Sequence, residues 1–448
     1  MIKLKKYKLL DFMIMMLIVL YLTELFRFAL FLHISLDIFA VLAVALLSVY
    51  AILHYHILAR LIKTKKVFLY ALLIFVFMLI TIPIYFSLGF LSLAKVVRPL
   101  GNSLLYLLLF FAAYIIGLKY DFKHLNRFII YPSVIIIIAG LVYNYINPNL
   151  FYKLRLLLND ADGDADSDSL SKIERAAGFY LKSTYAAFSM VPVFFFLFVS
   201  KQNKKILTVL LITVIIVGLV FLTGSRSVLL FLVPASFFIS KLVYKTLSKK
   251  YRLAKNASAE LVVIGMPLIM ITAFASLFYI SIYLSDQGYK VLGNRVVSLT
   301  SADDLSSDNS VNERLEAQKL YLGKIVESPL FGYGPLYTTD LKKSGQFTSN
   351  SHNSYIEYTF RYGIVYILIF LAFNRLLWKS FERKLLSNYY NFDYLGFFVV
   401  YLLVCSLFNN TMMENKTIVI MLGIGIAMGK RIANGLPPEE VRAIINVK

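Results

Sequence analysis

Apolar runs of about 20 residues, separated by short polar breaks, fill most of this chain, and about 20 residues at roughly 1.5 Å each cross a bilayer core. The runs predict helical spans at about 9–25, 37–57, 67–88, 99–118, 128–147, 183–200, 206–223, 227–244, 260–284, 353–374, 391–409 and 412–429. The expected fold is therefore an all-α polytopic membrane protein, a single integral-membrane domain over 1–448. About twelve spans put both termini on one side. The pattern breaks once, at length: residues 285–352 are mostly polar and lead into an apolar run at Asn353. A chain so averse to water keeps a long wet loop for a purpose, so this loop, before the tenth span, is expected to form a lid and half of an active site.

Within that loop Ser310, Val311, Asn312 and Glu313 have the S-x-x-E spacing of a capping box, which predicts a helix starting there. Val311, Leu315, Leu322 and Val326 then share one face, with Glu313, Glu316, Lys319 and Lys324 largely away from it. Such a helix is expected to rest on the membrane surface or on the spans below. Ser328-Pro329 ends it, and Gly332-Tyr333-Gly334-Pro335 makes a turn.

Charge orients the spans. Basic clusters fall on every second break: Lys3 to Lys8, Arg60 to Lys66, Lys119 to Arg127, Lys201 to Lys205, Lys241 to Lys255, Arg375 to Lys384, and the tail 430–448. By the positive-inside rule these breaks and both termini are cytoplasmic, and the loop is extracytoplasmic. The formal charge of +21 thus reflects topology, and nucleic acid is not an expected partner. A mean hydropathy of +0.73 with 16% charged residues excludes a soluble protein. The basic, apolar N-terminus has no small-x-small cleavage site and reads as a retained first span. The one cysteine, Cys405, allows no intramolecular disulfide.

Some polar residues stand out against this background. Arg226, in LTGSRSVLL, lies between two apolar runs on the outer side, where it either grips an anion such as a phosphate or snorkels to the interface. Arg314 sits in the first turn of the capped helix, against the helix dipole. Arg175 precedes Ala176-Ala177-Gly178 where an outer loop re-enters the membrane. His352 heads a span, and an unperturbed pKa of about 6.5 suits either a proton acceptor or a polar cap. Glu357 and Arg361, four apart, are spaced for a same-face salt bridge. Glu414 and Lys416 share a tight link, as an ion pair or as part of a site.

There is no CxxC and no HExxH. The acidic run DADGDADSD departs from an EF-hand: counted from Asp160, Gly163 comes fourth rather than sixth, and Ser171 rather than Glu is twelfth. A solvated charge run is the plainer reading, and no metal or other cofactor is expected.

The order of these pieces resembles the O-antigen ligase and polymerase superfamily of bacterial membrane glycosyltransferases. It runs Arg175-Ala176-Ala177-Gly178, Gly224-Ser225-Arg226-Ser227, Arg314-Leu315, the Ser328 to Pro335 turn, then His352-Asn353-Ser354-Tyr355 with Gly363. The resemblance implies a GT-C-like helical fold and a glycan donor on undecaprenyl diphosphate. It implies that Arg226 and Arg314 hold the diphosphate, with Arg175 a third, and that His352 takes the proton of the acceptor hydroxyl. Asn353, Glu414 and Tyr333 would support the site. Such enzymes work without a metal, the arginines neutralising the leaving diphosphate as its charge grows.

The resemblance leaves a polymerase of repeat units, which is the favoured reading, and a ligase onto lipid A-core. Its partners would be the lipid-linked donor, a glycan acceptor, the bilayer and a chain-length regulator. A lipid-linked oligosaccharide flippase also has about twelve spans, but it tends to show related halves and charges along a central cavity, which this sequence lacks.

Overall fold

The structure, a computed structural model, describes residues 2–27, 36–57, 59, 66–87, 93–147, 178–180, 189–194, 196, 309–334, 351, 353–382, 398, 401–403, 406–407 and 412–433. All regular structure among these residues is helical. The helices are α1 (Ile2–Thr23), α2 (Leu36–Leu53), α3 (Lys66–Ser87), α4 (Leu93–Lys119), α5 (Phe122–Leu125), α6 (Tyr131–Ile146), α7 (Asn309–Glu327), α8 (Ser354–Glu382) and α9 (Lys416–Ala433). A π-helical turn, Asn126–Ile130, joins α5 to α6.

Among the described residues four stretches are long and apolar enough to cross a bilayer: Lys66–Ser87, Pro99–Lys119, Phe122–Asn144 and Ser354–Leu377. Leu9–Thr23, Asp37–Leu53 and Lys416–Met428 are shorter apolar helices. Large apolar side chains stand exposed along them, among them Met16, Val41, Ile52, Ile80, Ile135 and Leu368. Water does not tolerate so much contiguous apolar surface, whereas lipid does. The protein is a helical integral membrane protein. The expected spans at 206–223, 227–244 and 260–284, and most of those at 183–200 and 391–409, lie outside the described residues. So does the acidic run.

Small residues set the closest helix pair. A side chain at Gly423 of α9 would meet the Phe110 carbonyl of α4 at 2.7 Å, and one at Gly117 would meet the Ala427 methyl at 2.8 Å. In lipid no hydrophobic force drives helices together, so close backbone approach through glycine and alanine is what makes such a pair pack well.

A buried polar knot ties α1, α2 and α4 together. Lys119 Nζ lies 2.9 Å from Asp11 Oδ1 and 2.8 Å from His54 Nε2. The Tyr50 and Tyr120 hydroxyls each donate to the Asp11 carboxylate at 2.9 Å. His54 Nδ1 faces the Tyr50 carbonyl at 2.9 Å. This pattern requires the neutral imidazole, with its proton on Nδ1 and the lysine donating to Nε2.

At the other end of α1 the chain hooks at Glu24, whose φ of 55° is rare for a residue with a side chain. Its carboxylate pairs with Arg27, and the orphan Leu22 carbonyl accepts from the Tyr180 hydroxyl.

Candidate active site

The site grows from the head of α8. Asn353 stands just outside the helix, and its Oδ1 accepts from the Tyr355 and Ile356 amides at 2.9 and 3.2 Å. This is an N-cap, answering donors that the first turn leaves without partners. Ser351 supports it: its Oγ lies 3.0 Å from the Asn353 carbonyl and 2.9 Å from Glu357 Oε2.

One turn further in, Glu357 and Arg361 meet as their spacing predicts, with Arg361 Nε 2.9 Å from Glu357 Oε1. The guanidinium also reaches a third residue. Its Nη1 lies 3.1 Å from Glu414 Oε2, in the 3-10 turn Met412–Glu414 that precedes α9. The Tyr362 hydroxyl donates to Glu414 Oε1 at 3.2 Å, and the Met413 amide donates to the Tyr358 hydroxyl at 2.6 Å. The partner of Glu414 is therefore Arg361. Lys416 lies with its ammonium 4.7 Å from the Phe26 ring centre and 5.2 Å from that of Tyr21, a cation–π seat.

The cluster holds two carboxylates and one guanidinium. Glu357 is fully buried, and the Arg361 and Glu414 side chains are 15% and 18% exposed.

Next comes a break. Gly363, inside α8, has φ 76° and ψ 179°, a conformation essentially closed to residues with a side chain. In an unbroken helix the Phe360 and Arg361 carbonyls would accept from the amides of Ile364 and Val365. Instead the turn after α7 plugs the gap. Tyr333 N donates to Phe360 O at 2.9 Å, Gly334 N donates to Arg361 O at 2.8 Å, and Ile364 N donates to Pro329 O at 2.8 Å. From α3, the Tyr85 hydroxyl touches the Arg361 carbonyl at 2.6 Å and also the Phe331 carbonyl. Gly332 is required here, because a side chain on it would lie 2.6 Å from the Arg361 backbone. Broken helices at membrane depth survive only where other protein answers the freed groups, and this turn does so.

The turn is held in its own right. The Tyr333 ring packs on Phe360 at 5.2 Å, and its hydroxyl donates to Glu327 Oε2 at 3.0 Å. Lys324 and Tyr333 together hold the exposed Glu327 carboxyl below the usual carboxylate range. The helix ends at Glu327, as Ser328-Pro329 predicts, but it already contains Asn309 and Ser310. Ser310 is thus the second helical residue, not a cap outside the helix. The Leu315–Leu322–Val326 face does not rest on the described spans, one of its two expected resting places. Ala317 and Tyr321 make the buried side, with Tyr321 against Phe360 at 4.8 Å, while Leu315, Leu322 and Val326 are exposed. Apolar spacing alone does not say which of two apolar stripes a neighbour covers.

Of the expected site residues, Tyr333, Asn353 and Glu414 gather around residues 351–363 of α8 and its head. Arg314 lies in the first turns of α7, one turn before Gln318, whose Nε2 donates to the Ser351 carbonyl at 2.9 Å. That bond joins the helix bearing Arg314 to the residue preceding His352. The Arg314 side chain, His352, Arg226 and Arg175 lie outside the described residues. Sequence reasoning missed the Arg361–Glu414 bond and the insertion of the turn at Gly363. Gly363 itself, in a segment otherwise without glycine, was the available signal.

Comparison with protein families then adds one finding. Residues 211–371 match the model of a family described as O-Antigen ligase. The match covers about a third of the chain and supports its resemblance to the O-antigen ligase and polymerase superfamily. A comparison with curated proteins finds no match. The matched stretch contains Arg226, Arg314, Tyr333, His352, Asn353 and the Gly363 break, whereas Arg175 and Glu414 lie outside it. Superfamily members are glycosyltransferase-like membrane enzymes acting on lipid-linked glycans.

Proposed function

We propose that this protein is a polymerase of lipid-linked oligosaccharide repeat units, building an O-antigen, capsule or exopolysaccharide. It moves a glycan from undecaprenyl diphosphate to a sugar hydroxyl of an acceptor repeat unit, on the extracytoplasmic face of the bacterial inner membrane. The observation that supports a transferase of this kind, polymerase or ligase, is the family match over 211–371, which takes in Arg226 and the large loop with Arg314 and His352. The Gln318–Ser351 bond is consistent with it, because it ties together the two segments that carry Arg314 and His352.

In this reading the acceptor oxygen attacks the anomeric carbon and the bond from that carbon to the diphosphate breaks. His352 takes the hydroxyl proton, and undecaprenyl diphosphate leaves with its charge held by Arg226 and Arg314, with Arg175 a third cation. Those cations do the neutralising that a metal does elsewhere, so the reaction is metal-independent. Tyr333 and Asn353 set the turn and the head of α8, and Glu414 braces Arg361.

The architecture proposed with it is a single GT-C-like domain over 1–448 with about twelve spans. The loop 285–352 lies outside, and both termini, including the tail 430–448, are cytoplasmic. A chain-length regulator is a further proposed partner.

The description of the matched family favours a second reading, a ligase moving the finished glycan to lipid A-core. A deletion strain separates the two. A single repeat unit capped onto core marks a lost polymerase, and long polymer stranded on its carrier marks a lost ligase. Arg226→Ala, Arg314→Ala and His352→Ala are each expected to abolish polymer laddering while the protein still inserts. Normal ladders in all three would end the assignment of these residues.

A further inference from the structure

Helix α7 has two apolar sides, and α8 covers only one. Ala317 and Tyr321 are buried against the Phe360 region, while Leu315 and Leu322 are each 51% exposed and Val326 is 78% exposed. We propose that the Leu315–Leu322–Val326 face docks into the bilayer, among phospholipid acyl chains just beneath the headgroups.

Depth is the first argument. Tyr321 packs on Phe360, six residues after the start of the candidate span Ser354–Leu377. At 1.5 Å per residue that is about 9 Å into the span, within the ~5–10 Å at which interfacial helices bury their apolar side. Water is scarce at that level.

Continuity is the second. Exposed Leu330 and Phe331 carry the apolar surface from Val326 to the broken part of α8, where Pro329 accepts from Ile364. From there Ile364, Leu368 and Leu371, also exposed, continue it down the span at helical spacing. These exposed apolar side chains thus lead from a face that lipid must cover toward the face of α7, with Glu327 and Ser328 the polar residues between Val326 and Pro329. The third argument is the rim. Exposed Lys319, one helical turn from both Leu315 and Leu322, borders this face rather than lying away from it as its sequence reading has it, and there a long stem can lie on lipid while the ammonium reaches phosphate.

Bilayer contact on one side and Phe360 on the other would clamp α7, and with it the turn that plugs the Gly363 break. The inference holds whatever glycan is transferred.

The test uses the full-length protein with Cys405→Ser, carrying Leu322→Cys or Val326→Cys. A small thiol-reactive fluorophore is attached, and the protein is reconstituted in phosphatidylethanolamine–phosphatidylglycerol vesicles. Acyl-chain nitroxide lipids are expected to quench both positions like a Leu368→Cys control, and roughly twofold or more strongly than Glu316→Cys. Quenching by aqueous iodide but not by lipid would overturn the proposal. Shielding from both quenchers would also overturn it, since another protein would then cover the face. Should labelling disturb the fold, Val326→Trp with Trp378→Phe, read with brominated lipids, gives the same two-way answer.

Discussion

Arg361 holds Glu414 at 3.1 Å and Glu357 at 2.9 Å, so one guanidinium joins the broken helix α8 to the turn that leads into α9. The guanidinium fork suits two carboxylates at once, which an ammonium does not match. Everything else at the site hangs on this bridge, because the Arg361 carbonyl also receives the inserted turn.

Replacing Arg361 by alanine leaves two buried carboxylates facing each other. The expected cost is about 3 kcal/mol or more, seen as a lower midpoint of thermal unfolding in detergent. Arg361→Lys should recover only part of it. Glu414→Gln should cost less than Arg361→Ala, because Glu357 still pairs with the arginine.

At Gly363 an alanine side chain would run into the Leu330 backbone, and the residue would be forced into a region closed to it. The strain alone is roughly 1–3 kcal/mol. Gly363→Ala is expected to expel the Ser328–Gly334 turn, which protease sensitivity near Pro329 would report. Unchanged cleavage would mean that the turn does not depend on the break.

The α4–α9 contact tolerates no bulk. Gly423→Leu should separate the pair at a cost of about 2–3 kcal/mol, whereas an exposed exchange such as Val41→Leu should be silent in the same thermal-unfolding assay.

Sugar transfer itself should survive EDTA, because arginines are the proposed counter-charge to the diphosphate. Loss of transfer that added magnesium or calcium restores would instead point to the acidic run from Asp160 to Asp168.

Local and periodic features were legible without coordinates. Apolar run length marked the spans Lys66–Ser87, Pro99–Lys119 and Ser354–Leu377 to within a few residues, although α4 starts before its span and α8 runs on past its own, because the requirement that lipid-facing backbone be satisfied within its own helix acts on every span separately. The four-residue step from Glu357 to Arg361 foretold their bond for a similar reason, and Ser328-Pro329 foretold the end of α7. The tertiary structure alone decided the partner of Glu414, the side of α7 that α8 covers, and the use made of Gly363. Each of these depends on groups far apart in the chain, such as Tyr85 reaching the carbonyl of Arg361. Sequence spacing encodes what one helix does with its own hydrogen bonds; which distant turn answers a carbonyl that the helix gives up is settled only when the helices pack.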